Sequence, residues 1–391
     1  MTDRGGLAAT ALVLLLWAAG LGAAAQFAKM GLILPELTAA YPGRGAAVGA
    51  LVSLVSLVGM ALGLVAGLLA ARIGPRRLLL GALALGAAVS AAQAAMPPFP
   101  VMLALRVVEG TSHLGVVVAA PTLISAVAGP RHAPAAMTLW GTFFGVAFAL
   151  TAWLGLPLVA AHGPGTLFAA HGAAMAALTL VLAATVPADP PRPSRAPRLT
   201  PGGVARRHRE TYASPVVAAP ALGWAFYTLT FVALLAVLPG TVAPAERTFV
   251  SAAMPLASIA VSMTLGVALL RWASAVQVIG LGFGLAVAAA AAIAVAPGEP
   301  WPCIAVLGAL GLVQGASFAA VPQLAPESGD QALAYGAVAQ TGNLGNLLGT
   351  PLFLAVGGVA GLRAMLGLAV ACWVAGALAH LLMARRRMRA A

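Results

Sequence analysis

This sequence carries too little charge to belong to an ordinary water-soluble fold. Asp, Glu, Lys and Arg make up 8% of its 391 residues, against roughly 25% in a soluble domain, while 61% are hydrophobic. No soluble fold hides that much apolar surface. Cysteine is scarce too: Cys303 and Cys372 both lie in apolar segments, so neither a disulfide framework nor a thiolate metal cluster is indicated. Lys29 is the only lysine among 21 basic residues. That excludes a Walker loop, which needs a lysine inside a glycine-rich turn. Paired carboxylates, clustered histidines and a Gly-x-Ser-x-Gly elbow are missing as well. No catalytic, metal or cofactor site is therefore expected.

What is present is a succession of apolar runs separated by short polar breaks. A hydrocarbon core of about 30 Å takes about 20 apolar residues per helix, and the runs are far longer than the ~10-residue alternating strands of a membrane barrel. The expectation is an all-α membrane protein of about twelve transmembrane helices, with the fourth and fifth at 99–128 and 134–160 and the last two at 333–358 and 362–384. The first run passes Ala23, Ala24 and Ala25 and reaches Leu34, longer than a secretory h-region of about 7 to 15 residues, so an uncleaved first helix is expected.

The formal charge of +12 comes from arginines in loops. They act as topology signals and do not point to a nucleic-acid partner. With the amino terminus cytoplasmic, Arg72, Arg76, Arg77, Arg131, Arg271 and the Arg385 to Arg389 tail fall inside, and Arg44, Arg247 and Arg363 outside. This asymmetry predicts a multi-pass protein of the bacterial inner membrane with both termini cytoplasmic. Residues 187–214, rich in proline and arginine, are too polar to span and read as a cytoplasmic linker. They divide the chain into an N-terminal six-helix bundle, 1–186, and a C-terminal one, 215–391.

Two halves invite a search for duplication. "ALRVVEGTSH" from Ala104 aligns without gaps to "ALGLVQGASF" from Ala309, an offset of 205 residues. "FAKMGLILP" from Phe27 parallels "FVALLAVLP" from Phe231 at an offset of 204. Two pairs in the same order at nearly the same offset point to an internal repeat.

The loop after the second run, with Gly67, Ala71, Arg72, Gly74, Pro75, Arg76 and Arg77, resembles the cytoplasmic Gly-x-x-x-Asp-Arg-x-Gly-Arg-Arg motif of the major facilitator superfamily. Ala71 replaces the motif's acid and Pro75 its first basic residue after the second glycine. That departure predicts a weakened inter-helix charge or dipole contact at this loop. Arg106 followed by Gly110 is similar to the Arg-x-x-x-Gly of that superfamily's fourth helix, and Gly141, Gly145, Gly155 and Pro157 loosely resemble its glycine-proline motif in the fifth. The resemblance implies two pseudo-symmetric six-helix bundles around a central cavity, and a secondary transporter working by alternating access as a monomer.

Intramembrane charge is the sharper signal, because an unpaired charge at mid-bilayer costs from about 2.5 kcal/mol upward. Lys29 lies deep in the first run, where a snorkelling side chain is the structural alternative. Arg106, Glu109 and His113 occupy i, i+3 and i+7 of the fourth, within an arc of about 60°. They read either as a buried ion pair or as the polar wall of a site, with Glu109 as the proton-coupling group under the control of Arg106. The repeat holds Gly311, Gln314 and Phe318 at these positions, so charge is confined to one half. Gln26, Lys29, Arg106, His113, Trp140, Trp224, Tyr227, Gln314, Gln340 and Asn343 are the substrate-binding candidates. The aromatic and amide members read equally as packing.

Cations outnumber Glu109 here, so the expected substrate is a small anionic or amphipathic organic molecule, moved with protons. Met30, Met254 and Met263 keep copper uptake as an alternative, although no Met-x-x-x-Met pair occurs in the seventh or eighth run. A non-transporting receptor or assembly factor is the other alternative. A cysteine placed in the linker should react with impermeant labels only from the cytoplasmic side; labelling from outside would refute the orientation.

Overall fold

The computed structural model describes residues 3–189 and 200–390, and among the described residues every regular element is a helix. Linker arginines Arg192, Arg195 and Arg198 lie outside the described residues. Among the described residues, eleven helices are long and apolar enough to cross a bilayer. The last, Gly329–Arg389, has 61 residues; at about 1.5 Å each it would run roughly 90 Å, three times the hydrocarbon core. Gly361, at φ 76°, breaks it, so 329–360 and 362–389 are the eleventh and twelfth spans. Gly129, at φ 66°, likewise divides Phe99–Gly141. The fourth span is 99–128, and the fifth begins at Pro130 and continues as Phe143–His162. Both breaks use the left-handed backbone that glycine adopts without steric cost.

The first three spans are Ala8–Gly31, Ala47–Ile73 and Pro75–Ala94, and the sixth is Pro164–Thr185. The seventh to tenth are Ala218–Thr241, Phe249–Leu269, Ala275–Val295 and Pro300–Leu324. Local sequence explains several starts. Pro75, Pro164 and Pro300 open their helices at the position where a missing N–H costs nothing. Ser274 and Gln277 form a capping box before the ninth.

The chain forms two compact units, Met1–Gly129 with Phe143–Gly203, and Pro130–Thr142 with Val204–Ala391. The start of the fifth span therefore groups with the second unit and not with residues 1–186. Contacts made by Trp140 and Gly141 within the second unit, given below, are the physical reason. Within the linker, Pro201–Ala213 is a helix, and Tyr212 on it donates to Gln340 at 2.7 Å. Burial pushes the Tyr212 phenol up to about 12, which keeps it a donor at neutral pH.

Within the first unit the first span packs on the fifth and sixth, and the third on the sixth. Within the second, the eighth span packs on the tenth, and the seventh on the helix that holds the eleventh and twelfth. The repeat is visible in these contacts. Gly110 and Gly315 are equivalent at the 205-residue offset. A Cβ on Gly110 would lie 2.9 Å from Val58 Cβ of the second span, and one on Gly315 2.6 Å from Ser262 Oγ of the eighth. Neighbouring helices approach closely at both.

Gly311, one turn before Gly315, faces backbone: a Cβ there would lie 2.9 Å from the Ser258 carbonyl carbon. Gly311→Ala should therefore destabilise the protein by about 1 to 3 kcal/mol through overpacking. Gly280→Ala, with nothing within 4 Å of its Cβ, should leave the thermal midpoint in detergent unchanged. Equal midpoints for the two variants would refute the close approach.

Candidate functional site

The deepest charges of the first unit meet at one carboxylate. Lys29 Nζ lies 2.5 Å from Glu109 Oε1 and donates to Ser90 Oγ at 2.6 Å and Gln93 Oε1 at 2.8 Å. His171 Nδ1 is 3.4 Å away. Glu109 Oε2 accepts from Arg106 Nη1 and, at 2.7 Å, from Gln93 Nε2. Arg106 Nε in turn donates to the Leu51 carbonyl at 2.5 Å. Lys29, Arg106 and Glu109 each have 0% exposure. Lys29 does not snorkel; its ammonium turns inward because the carboxylate, an amide and a hydroxyl give it better partners than a distant interface.

The group has two formal positive charges against one negative. The uncharged donors and acceptors around it, from four other side chains or carbonyls, lower the cost of keeping them from water. Two polar atoms still lack partners: Arg106 Nη2 and Gln26 Oε1 are buried without a hydrogen bond. Gln26 Nε2 donates to Ser112 Oγ at 2.9 Å, and Ser112 donates to the Ala82 carbonyl at 2.7 Å.

His113 stands apart from the ion pairs. Its Nδ1 is 2.9 Å from the Ala23 carbonyl and its ring meets Phe27 edge-on at 4.9 Å. Three residues that sequence reasoning missed complete the network: Ser90 and Gln93 from the third span and His171 from the sixth. A signal for the first two existed. Beyond Arg77 they are the only polar side chains in the third span, and their i, i+3 spacing puts them on one face.

At the 72–77 loop, the expected loss of a dipole contact is corrected by an acid from elsewhere. Asp189 accepts from the backbone N–H groups of Arg76 and Arg77, both at 3.1 Å, so a carboxylate caps the third helix despite Ala71. Arg76 returns the contact by donating to the Val186 carbonyl at 2.9 Å and the Ala183 carbonyl at 2.7 Å, capping the sixth helix.

In the second unit the aromatic candidates form a continuous group. Trp224 stacks on Tyr227 at 4.5 Å, Tyr227 on Phe231 at 5.0 Å, and Phe318 meets Trp224 at 4.9 Å and Trp140 at 6.5 Å. The Tyr227 hydroxyl is buried without a partner. Gln314 donates to the Gly141 carbonyl and accepts from Ser258 Oγ at 3.2 Å. Gln340 is bound to Tyr212 of the linker helix, and Asn343 donates to Ala339 of its own helix at 2.8 Å. Met30 is buried in an apolar cluster with Ile33, Leu37 and Met102, a packing role.

The family model described as Major Facilitator Superfamily matches residues 12–350. No curated protein matches by sequence. Among solved structures, the human organic anion transporter MFSD10 is 17% identical with a TM-score of 0.78, covering 97% of this chain and 100% of that one. The E. coli fucose:proton symporter FucP is 14% identical with a TM-score of 0.74 over 95% and 98%. The proton:xylose symporter XylE is 14% identical with a TM-score of 0.74 over 97% and 96%.

The ion-pair geometry orders two substitutions. Glu109→Gln leaves Lys29 and Arg106 without a counter-charge and should cost about 3 to 5 kcal/mol, whereas Lys29→Gln leaves a balanced Arg106 to Glu109 pair and should cost less. Unfolding midpoints in the reverse order would contradict the shared carboxylate.

Proposed function

The chain belongs to the Major Facilitator Superfamily, and from that premise we propose that this secondary transporter moves a small organic anion together with protons. It does so by alternating access across a bacterial inner membrane, as a monomer with both termini cytoplasmic. The observation that carries the reading is the buried excess of positive charge at Lys29, Arg106 and Glu109. A net charge held in an apolar interior is relieved by an arriving anion, and the unpartnered Arg106 Nη2 is a donor suited to a carboxylate.

The proton is supported by the ionisable cluster itself. Accumulation of a solute without a nucleotide motor requires an ion gradient, and a buried site made of lysine, carboxylate and histidine can change its proton count. Two of the similar solved structures are proton symporters and one is an organic anion transporter, which agrees with this reading.

Reconstituted protein should accumulate at least one labelled aliphatic or aromatic carboxylate when a pH gradient is imposed, and a protonophore should abolish the accumulation. Lys29→Ala should remove it. Transport restricted to cationic drugs, undiminished by Lys29→Ala, would overturn the proposal.

A further inference from the structure

We propose that the coupled proton sits on Lys29 and enters and leaves through His171, with Ser90 as the bridge between them. The proposal rests on the reading of a proton-coupled anion transporter and deepens it by naming the carrier, its route and the ratio of charges moved.

The direction of each hydrogen bond follows from what its acceptor can do. His171 Nε2 lies 2.9 Å from the Gly22 carbonyl, which only accepts, so Nε2 bears a hydrogen. Nδ1 of the neutral ring is then an acceptor, and Ser90 Oγ at 2.8 Å donates to it. The same oxygen accepts from Lys29 Nζ at 2.6 Å. Every hydrogen in the chain Lys29, Ser90, His171 therefore points the same way.

Moving one proton along each bond completes a transfer. An N–H bond of Lys29 breaks and leaves its electron pair on nitrogen; Ser90 takes that proton and passes its own to Nδ1. The products are an amine, a hydroxyl and an imidazolium. They are as well bonded as before: Nδ1–H donates to Ser90, Ser90 donates to the amine lone pair, and the amine keeps Glu109 Oε1 at 2.5 Å and Gln93 Oε1 at 2.8 Å. No heavy atom has to move. His171 retains 7% exposure where Lys29 and Ser90 have none, so the ring is the least enclosed member of the chain. Water takes the Nε2 proton when the ring is uncovered, and the reverse sequence reloads Lys29.

Charge explains why Lys29 and not Glu109 is the carrier. Both Glu109 oxygens are engaged, by Lys29 on one side and by Arg106 and Gln93 on the other, so protonating it leaves two buried cations unopposed. Loss of the Lys29 proton leaves Arg106 and Glu109 balanced. The charged and titratable groups facing the chain are Glu109 and Arg106 from the fourth span, with His113 one turn on; the second and third spans bring only the Leu51 carbonyl, Ser90 and Gln93. The cluster is thus neutral in two states, holding both the proton and one negative charge of substrate, or neither. One proton accompanies each anionic charge, and the transport cycle moves no net charge.

Because Lys29 is the only lysine, its protonation can be read directly. Full-length protein carrying lysine and histidine labelled with the heavy nitrogen isotope, purified through a tag free of both residues and placed in lipid nanodiscs, gives a single lysine Nζ resonance. Across the pH range in which the fold persists, that resonance should pass from the ammonium to the amine position, and the His171 ring nitrogens should respond in the same transition. Ser90→Ala should slow proton exchange between the Lys29 and His171 nitrogens at the midpoint of the titration, read from the exchange broadening of the two resonances, and Ser90→Thr should restore it. A Lys29 resonance that stays ammonium throughout, or an exchange rate that is the same in wild type and Ser90→Ala, would overturn the proposal. The titration needs no substrate, so its failure would leave proton-coupled anion transport standing with another carrier. An intact common titration in a protein that transports no anion would instead refute the functional reading.

Discussion

A carboxylate shared by two cations in an apolar interior sets the terms for the first unit. Neither Lys29 nor Arg106 could remain at 0% exposure without Glu109, because an unpaired buried charge costs more than a single helix contact returns. The carboxylate alone does not satisfy them. Ser90 and Gln93 must come from the third span and the Leu51 carbonyl from the second, and each of those helices meets the cluster in only one rotational setting. Gly110, next to Glu109, contributes by having no side chain: the second span comes close enough for its backbone to receive Arg106. Polar pairing and helix packing are one constraint at this level of the membrane.

Much of this was legible in the sequence because the bilayer imposes a strong rule. Long apolar runs, a polar linker and a repeat at a fixed offset gave the architecture, and the cost of burying charge singled out Lys29, Arg106 and Glu109. Ser90, Gln93 and His171 escaped that reasoning because an uncharged polar residue in a membrane helix costs little and usually bonds its own backbone, as Thr122 and Thr179 do. Their meaning depends on what stands opposite. The same ambiguity worked the other way for Gln340 and Asn343, whose amides are occupied by a linker tyrosine and by the local helix. Asp189 was hidden for a different reason. A motif compared position by position finds alanine at 71, while the acid that caps the helix lies 113 residues beyond Arg76.

The two units show what duplication keeps and what it releases. At equivalent places Gly110 and Gly315 admit a neighbouring helix, and Glu109 and Gln314 each tie the span to atoms of other helices. Glutamate and glutamine have nearly the same shape, so the tethering role survives the loss of charge. The flanking positions diverge: Arg106 becomes Gly311, which lets the eighth span close in, and His113 becomes Phe318, which joins an aromatic group with Trp224 and Trp140. Without an arginine to hold, the second unit needs no carboxylate there, and the amide leaves its interior free of any charge at the tenth span. One backbone arrangement thus supports two chemistries, ionisable in one unit and aromatic in the other. On the repeated helix itself the difference lies in three side chains on one face, which could change by substitution without disturbing the contacts that define the fold.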